Sequence, residues 1–410
     1  MSDTTFKETT TPDQVDKIVG KRPGFSAFVF RQLISRFDYG ALTVILPNGR
    51  RLGVRGAAEG PVGIFILHRW RVLRRLLQGG DIGFAEAYLD GDWSSPDLTA
   101  LIEVLARNRA SVPGVDGENV FSRIVNRLLH LSRANSLTGS KRNIVQHYDL
   151  GNDFYARWLD EGMSYSSALF DSPDGGLEAA QTAKQDRVLQ LLGLQTGQSA
   201  LEIGIGWGGM AERVVRAGGR LTGVTLSPAQ LGYARARFAG AGMDADLRLQ
   251  DYRQIEGRFD RIVSIEMLEA VGEAWWPVYF DKLRALLAEG GRIVLQTITI
   301  SDDRFTAYRR NVDFIQRYIF PGGMLPAPAK LRQQIERAGL RVEMVETFGG
   351  SYARTLDIWH ERFQAAWPSI AAMGFRPRFK RMWDYYLAYC EAGFRSGAID
   401  VGLWRLGHRR

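Results

Sequence analysis

From about residue 180 onward, short apolar runs alternate with stretches in which apolar positions recur every three or four residues. The runs ALEIG (200–204), RLTGVTL (220–226), DLRLQD (246–251), DRIVSIE (260–266) and GRIVLQTITI (291–300) predict strands, and intervening stretches such as MAERVVRAG (210–218) predict helices. That alternation implies an α/β fold, a mainly parallel, doubly wound sheet that binds its ligand at the carboxyl ends of the strands. Upstream, GALTVILPNGRRLGVRG (40–56) holds two alternating runs around Pro47-Asn48-Gly49, a hairpin pattern. The chain therefore reads as a tail (1–20), a basic α+β domain (21–110), a linker with a basic helix (111–140) that opens on the turn-rich SVPGVDGEN, and a large α/β domain (141–410).

Composition narrows the class. An apolar share of 45% with 11% aromatics over 410 residues excludes a disordered chain, and no apolar run approaches the roughly 20 residues of a membrane span. The start, MSDTTFKETTTPDQ, is polar and acidic, unlike a signal or transit peptide, so a cytoplasmic protein is expected. A single cysteine, Cys390, excludes an intrachain disulfide and a cysteine metal cluster, and the five histidines lack ligand spacing, so no metal is expected.

The charge is unevenly placed. Residues 17–142 hold 19 of the 53 Lys and Arg but only 10 of the 45 Asp and Glu, which accounts for the whole positive balance of +8. Within them, HRWRVLRRLLQGG (68–80) alternates Arg69, Arg71, Arg74 and Arg75 with apolar residues, as an amphipathic basic helix does. A solvated face over the domain core, a contact with an anionic membrane, and nucleic acid all fit such a helix. Nucleic acid ranks last, because the basic residues are not interleaved with repeated stacking aromatics.

The stretch EIGIGWGG (202–209) follows one of the apolar runs and precedes a helical one. A strand that ends in glycines and restarts as a helix can press its backbone against a nucleoside-bearing cofactor, since Gly204, Gly206 and Gly208 lack a Cβ. A dinucleotide domain would end its next strand in Asp or Glu. Here that strand, RLTGVTLS, ends without an acid, though Thr225 and the following Gln230 can bond a ribose. Glu202, with Asp251 and Tyr252 after the run DLRLQ, instead suits a nucleoside held by a carboxylate, an amide edge and an aromatic face. The reading is S-adenosylmethionine.

Six motifs in order carry a family resemblance: QHYDLGNDFYARWLDEGMSYSSALF (146–170), LEIGIGWGG, GVTLSPAQ (223–230), DRIVSIEMLEAVG (260–272), DFIQRYIFPGGMLP (313–326) and YYLAYCEAGFRSGAIDVGLW (385–404). Together they resemble the cyclopropane-fatty-acyl-phospholipid synthases, a family that includes the mycolic acid cyclopropane synthases. The resemblance implies a class I methyltransferase domain, Rossmann-like, behind a smaller N-terminal α+β domain that helps to hold lipid. It implies S-adenosylmethionine-dependent transfer to the double bond of unsaturated acyl chains of membrane phospholipids, by a protein at the inner, anionic face of the cell membrane. A homodimer stays open, as do a same-fold methyltransferase for a small amine and an inactive lipid-binding relative.

The resemblance also assigns residues. Tyr165 and Ser166 would touch the cofactor. A bicarbonate base would be held by Glu269, by the backbone of Ile298 and by a tyrosine mapped to Tyr386. Two members of the usual anion site differ: Ser167 stands for a cysteine and Gln296 for a histidine, and Gln296 cannot take up a proton near neutral pH. Ala270 replaces a common histidine, and Glu266 stands where glycine is frequent; an extra buried carboxylate there would act as base or repel bicarbonate. After methyl transfer, the resulting cation either closes a cyclopropane or, after a hydride shift, leaves a methyl- or methylene-branched chain. The sequence permits both.

Overall fold

A computed structural model describes residues 9–11, 14–15, 18, 30–31, 35–108, 150–172 and 174–409. Most of the expected tail, the linker and basic helix at 111–140, and His147 and Tyr148 lie outside the described residues. The chain divides into two compact units, Met1–Leu128 with Ala371–Ser396, and Leu129–Ile370 with Gly397–Arg410.

In the first unit, β1 (Tyr39–Ile45) and β2 (Arg51–Arg55) form the hairpin that Pro47-Asn48-Gly49 predicts, with Gly49 at a positive φ of 78° where glycine is unstrained. β3 (Ala58–Leu67) then pairs parallel to β1 on its other side, and the short β4 (Trp93–Ser94) completes the order β2-β1-β3-β4. Between β3 and β4 runs α1 (Arg71–Leu89), interrupted at Gly80, which adopts φ 52°. Rings of Phe65, Phe84, Tyr88 and Trp93 cluster beneath it, Phe84 stacked on Trp93 at 4.4 Å.

The basic stretch at the start of α1 stays largely exposed but is tied to an acid beneath it. Arg69, Arg71 and Arg75 converge on the fully buried Asp92 at 3.3, 2.6 and 3.4 Å, and Arg75 also pairs with Asp90 at 2.8 Å. A buried carboxylate needs such partners, so three of the four arginines neutralise an acid of their own unit.

α2 (Leu98–Arg107), capped by the Asp97 side chain on Ala100 N–H, and the distant helix Pro377–Arg395 complete this unit. Thr99 donates to Glu391 (2.8 Å), Arg107 to the Arg395 carbonyl (2.7 Å), and Tyr88 packs on Tyr385 at 5.7 Å. The single segment 141–410 expected from the sequence is thereby broken: Ala371–Ser396 returns to the N-terminal unit, because its apolar face is matched by residues almost 300 positions away.

The second unit is built on a seven-stranded sheet, order β10-β11-β9-β8-β5-β6-β7. α3 (Leu177–Leu192) leads into β5 (Ser199–Ile203), α4 (Gly209–Arg216), β6 (Arg220–Thr225), α5 (Pro228–Gly240) and β7 (Asp246–Leu249). The chain then crosses back to β8 (Phe259–Ile265), followed by α6 (Trp276–Leu286), β9 (Leu287–Ile300), α7 (Pro328–Arg337), β10 (Leu340–Thr347), α8 (Gly349–Ala372) and β11 (Ile399–His408). β5 to β9 are mutually parallel, as the apolar runs predict, and β11 lies antiparallel between β9 and β10.

Burial follows position: central β8 is covered on both faces, whereas edge strand β7 buries only Leu247. Leu201, Ile203, Ile262, Ile293 and Leu295 pack with Tyr279, Phe280 and Leu283 of α6 into the main core. Strand order reverses between β5 and β8, and at such a switch point the carboxyl ends leave a crevice. This is a class I methyltransferase fold.

Candidate active site

At the carboxyl end of β5 the three glycines of the turn take positive φ, 87°, 52° and 88° at Gly204, Gly206 and Gly208. Val224 O accepts from both Gly204 N–H (2.9 Å) and Ile205 N–H (3.1 Å), which pins the turn to β6. A Cβ at Gly208 would meet Ala234 at 3.2 Å, so this glycine serves packing against α5; at Gly206 a Cβ would meet nothing within 4 Å. Gly206 therefore borders open space, as a backbone that cradles a ligand must. Beside it Glu202 is 2% exposed and its Oε2 has no hydrogen-bond partner among the described residues. Burial pushes its carboxyl up to about 8, against the pull of the Lys184 charge. An orphaned carboxylate oxygen next to an open glycine turn fits the hydroxyls of a ribose.

The other residues expected at the cofactor have partners of their own. Thr225 donates to Gln230 Oε1 (3.1 Å) and accepts from Ser227 N–H (3.1 Å), while the Ser227 side chain caps α5. Asp251 accepts from the Arg253 backbone (2.9 Å) and guanidinium (2.8 and 2.6 Å), and buried Tyr252 packs edge-on against Tyr279 at 5.4 Å. Tyr165 stands in an aromatic cluster with Tyr155, Trp158 and Trp359 at 5.3 to 5.7 Å, and Ser166 accepts from Lys184 Nζ at 2.7 Å.

Two half-buried carboxylates follow β8. Glu266, at a positive φ of 48°, accepts from Ser167 N–H (2.9 Å), Gln296 Nε2 (2.7 Å) and Tyr352 OH (2.6 Å). Burial raises its pKa, and these three donors together with Lys184 oppose the rise. Glu269 accepts from Thr297 Oγ1 (3.0 Å) and Ile298 N–H on one oxygen, and its Oε2 has no partner among the described residues. Its carboxyl is pushed up to about 8, first by burial and then by the charge of Glu266. Three donors oppose the rise at Glu266 and a bare oxygen leaves it standing at Glu269, so Glu266 is the carboxyl of the pair better placed to ionise.

This geometry corrects two expectations. Ser167 N–H and Gln296 Nε2 are spent on Glu266 and Ile298 N–H on Glu269, while the Ser167 hydroxyl donates to the Ala168 carbonyl (2.8 Å). The groups implied for bicarbonate do not fit it: a side-chain carboxylate already takes their hydrogen bonds. Second, the tyrosine on this carboxylate is Tyr352 of α8. Tyr386 lies on the helix Pro377–Arg395 of the first unit, its ring 5.2 Å from Trp383. Tyr352 begins the buried stripe Tyr352, Thr355, Leu356, Trp359 and Phe363, and a phenol at the head of a mainly apolar helical face is the signal of it in the sequence.

Residues 135–404 match the family described as mycolic acid cyclopropane synthetase. The chain belongs to this family. As a member it is an S-adenosylmethionine-dependent methyltransferase, in agreement with the open glycine turn and Glu202. Among relatives, it is 41% identical to tuberculostearic acid methyltransferase of Mycobacterium tuberculosis over 86% of this chain and 84% of that protein. It is 37% identical to cyclopropane-fatty-acyl-phospholipid synthase of Escherichia coli over 81% and 84%. Among solved structures, the cyclopropane synthase MmaA2 of Mycobacterium tuberculosis superposes with a TM-score of 0.61 at 31% identity, covering 65% of this chain and 97% of that one. The family member CmaA1, 32% identical with the same TM-score and coverage, was solved with S-adenosylhomocysteine bound.

Proposed function

We propose that this methyltransferase alkylates the double bond of unsaturated acyl chains of membrane phospholipids and that its product is an open, methylene-branched chain. The observation that carries the reading is Glu266, whose carboxylate takes the hydrogen bonds a bicarbonate would need. The relatives carry two kinds of name, a tuberculostearic acid methyltransferase and a cyclopropane-fatty-acyl-phospholipid synthase.

When bound, S-adenosylmethionine supplies an electrophilic methyl group, and Glu202 and the backbone at Gly206 are the groups that would hold its nucleoside. The aromatic cluster around Tyr165 excludes water that would trap a cation. Methylation of the alkene leaves a secondary cation on the neighbouring carbon of the acyl chain. A 1,2-hydride shift from the methyl-bearing carbon makes it tertiary, and loss of a proton from the new methyl to the Glu266 carboxylate leaves the methylene branch. A carboxylate tethered to the backbone and clamped by three donors cannot follow the methyl hydrogens as a free anion can. The delay gives the hydride shift its chance over ring closure.

Peripheral attachment to the anionic inner face of the membrane accompanies this reading. It is supported by the excess of Lys and Arg in residues 17–142 and by Val62 and Leu77, 36% and 43% exposed on the first unit. Incubation with S-adenosylmethionine and unsaturated phospholipid, followed by mass and proton-resonance analysis of the released acyl chains, is the test. Vinylidene protons of a methylene branch are expected; high-field cyclopropane protons would overturn the product assignment.

A further inference from the structure

Lys184 is a buried ammonium that methyl transfer does not by itself require. It projects from α3, is 3% exposed, and donates to Ser166 Oγ at 2.7 Å. One turn earlier Gln181 Nε2 donates to the Ser166 carbonyl at 2.8 Å. The next residue, Ser167, gives its N–H to Glu266 at 2.9 Å. α3 thus grips the segment that caps the base. Three carboxylates from three separate places act on the ammonium: Glu266 after β8, Asp160 in the segment before Ser164, and Glu202 at the end of β5. Asp160 is itself tied to Ser164 N–H at 2.9 Å, and the charge of Glu266 raises the pKa of Glu269. Burial lowers the Lys184 pKa to about 8 while these acids hold it up, so the charge persists near neutral pH.

We propose that Lys184 is a positioning residue: its hydrogen bond to Ser166 fixes the backbone whose next N–H, that of Ser167, holds Glu266, and its ammonium is the counter-cation that favours a carboxylate there. The proposal rests on Glu266 as the base. Turnover of Glu266→Gln tests that reading by itself, whereas the Lys184 variants are read through a pH profile and a melting temperature, which the rate of Glu266→Gln does not decide.

The profile is measured as kcat against pH, with S-adenosylmethionine and vesicles of unsaturated phosphatidylglycerol. Activity needs ionised Glu266 and falls as pH drops through its pKa, and removal of the cation raises that pKa. Lys184→Met therefore moves the acid limb upward by about one pH unit or more, and Lys184→Arg, which keeps the charge, leaves the limb where it stands in the parent. A merely structural lysine would lower the rate without moving the limb. Should Lys184→Met not fold, the double variant with Glu266→Gln, which removes both charges, is expected to melt above it. An unmoved limb in a folded Lys184→Met, or a double variant that melts no higher than an unfolded single one, overturns the proposal.

Discussion

Glu266→Gly should convert this enzyme from one that carries its own anion into one that needs an added anion. The substitution deletes the carboxylate that accepts from Ser167 N–H, Gln296 Nε2 and Tyr352 OH at 2.9, 2.7 and 2.6 Å. Each buried donor left unpaired costs about 1 to 3 kcal/mol. Part of this is offset because glycine is unstrained at a φ of 48°, worth about 1 kcal/mol. The variant should therefore melt several degrees lower in carbon-dioxide-free buffer while remaining folded. Its turnover on unsaturated phospholipid should fall by about 10² or more without the base. Added bicarbonate, which can accept from the same three donors, should restore melting temperature and turnover together and shift product toward the ring. Glu266→Gln keeps the space filled and should not respond to bicarbonate, and the parent should be indifferent to it throughout. A parent that requires bicarbonate, or a folded Glu266→Gly variant with full turnover in its absence, would refute the reasoning.

Three further outcomes are expected. Gly206→Val fills the open space beside the turn and strains a φ of 52°, so calorimetric titration should show S-adenosylhomocysteine binding lost, with no binding of NADH by the parent. Glu202 must ionise to accept fully from a ribose diol, and its carboxyl is pushed up to about 8, so affinity for S-adenosylhomocysteine should rise with pH, level off above about 8, and lose this dependence in Glu202→Gln. Sedimentation with vesicles should require anionic lipid and weaken with salt, because exposed charges are screened beyond about 8 to 10 Å; equal attachment to neutral vesicles in high salt would contradict it.

What could be read without coordinates was local. The apolar runs located β5 to β9, Pro47-Asn48-Gly49 located a hairpin, and EIGIGWGG located a turn whose positive φ values only glycine accepts readily. Each of these rests on contacts within a few residues or on a periodicity that survives as a pattern in the chain. β10 and β11 were not legible in the same way, since β10 is half-buried along most of its length and β11 gains its place by inserting antiparallel beside β9. The helix Pro377–Arg395 likewise reads in sequence as continuous with the large domain, because its partners on α1 and α2 lie almost 300 residues away.

The sequence by itself determined the fold class, the cofactor and the presence of an uncommon acid at Glu266, because strand period, glycine freedom and residue identity are properties of the chain. Only the tertiary structure decided what that acid does. Its three hydrogen-bond partners lie 99, 30 and 86 residues away, and motif order alone points to a tyrosine on a different helix. Protonation, too, is a tertiary property: Glu202, Glu266, Glu269 and Lys184 are ordinary side chains in an extended chain, and it is their common burial and mutual charge that displaces them from their usual values. A motif can place a carboxylate in the sequence, but the donors around it determine whether it is a base, a ligand or a neutral acid.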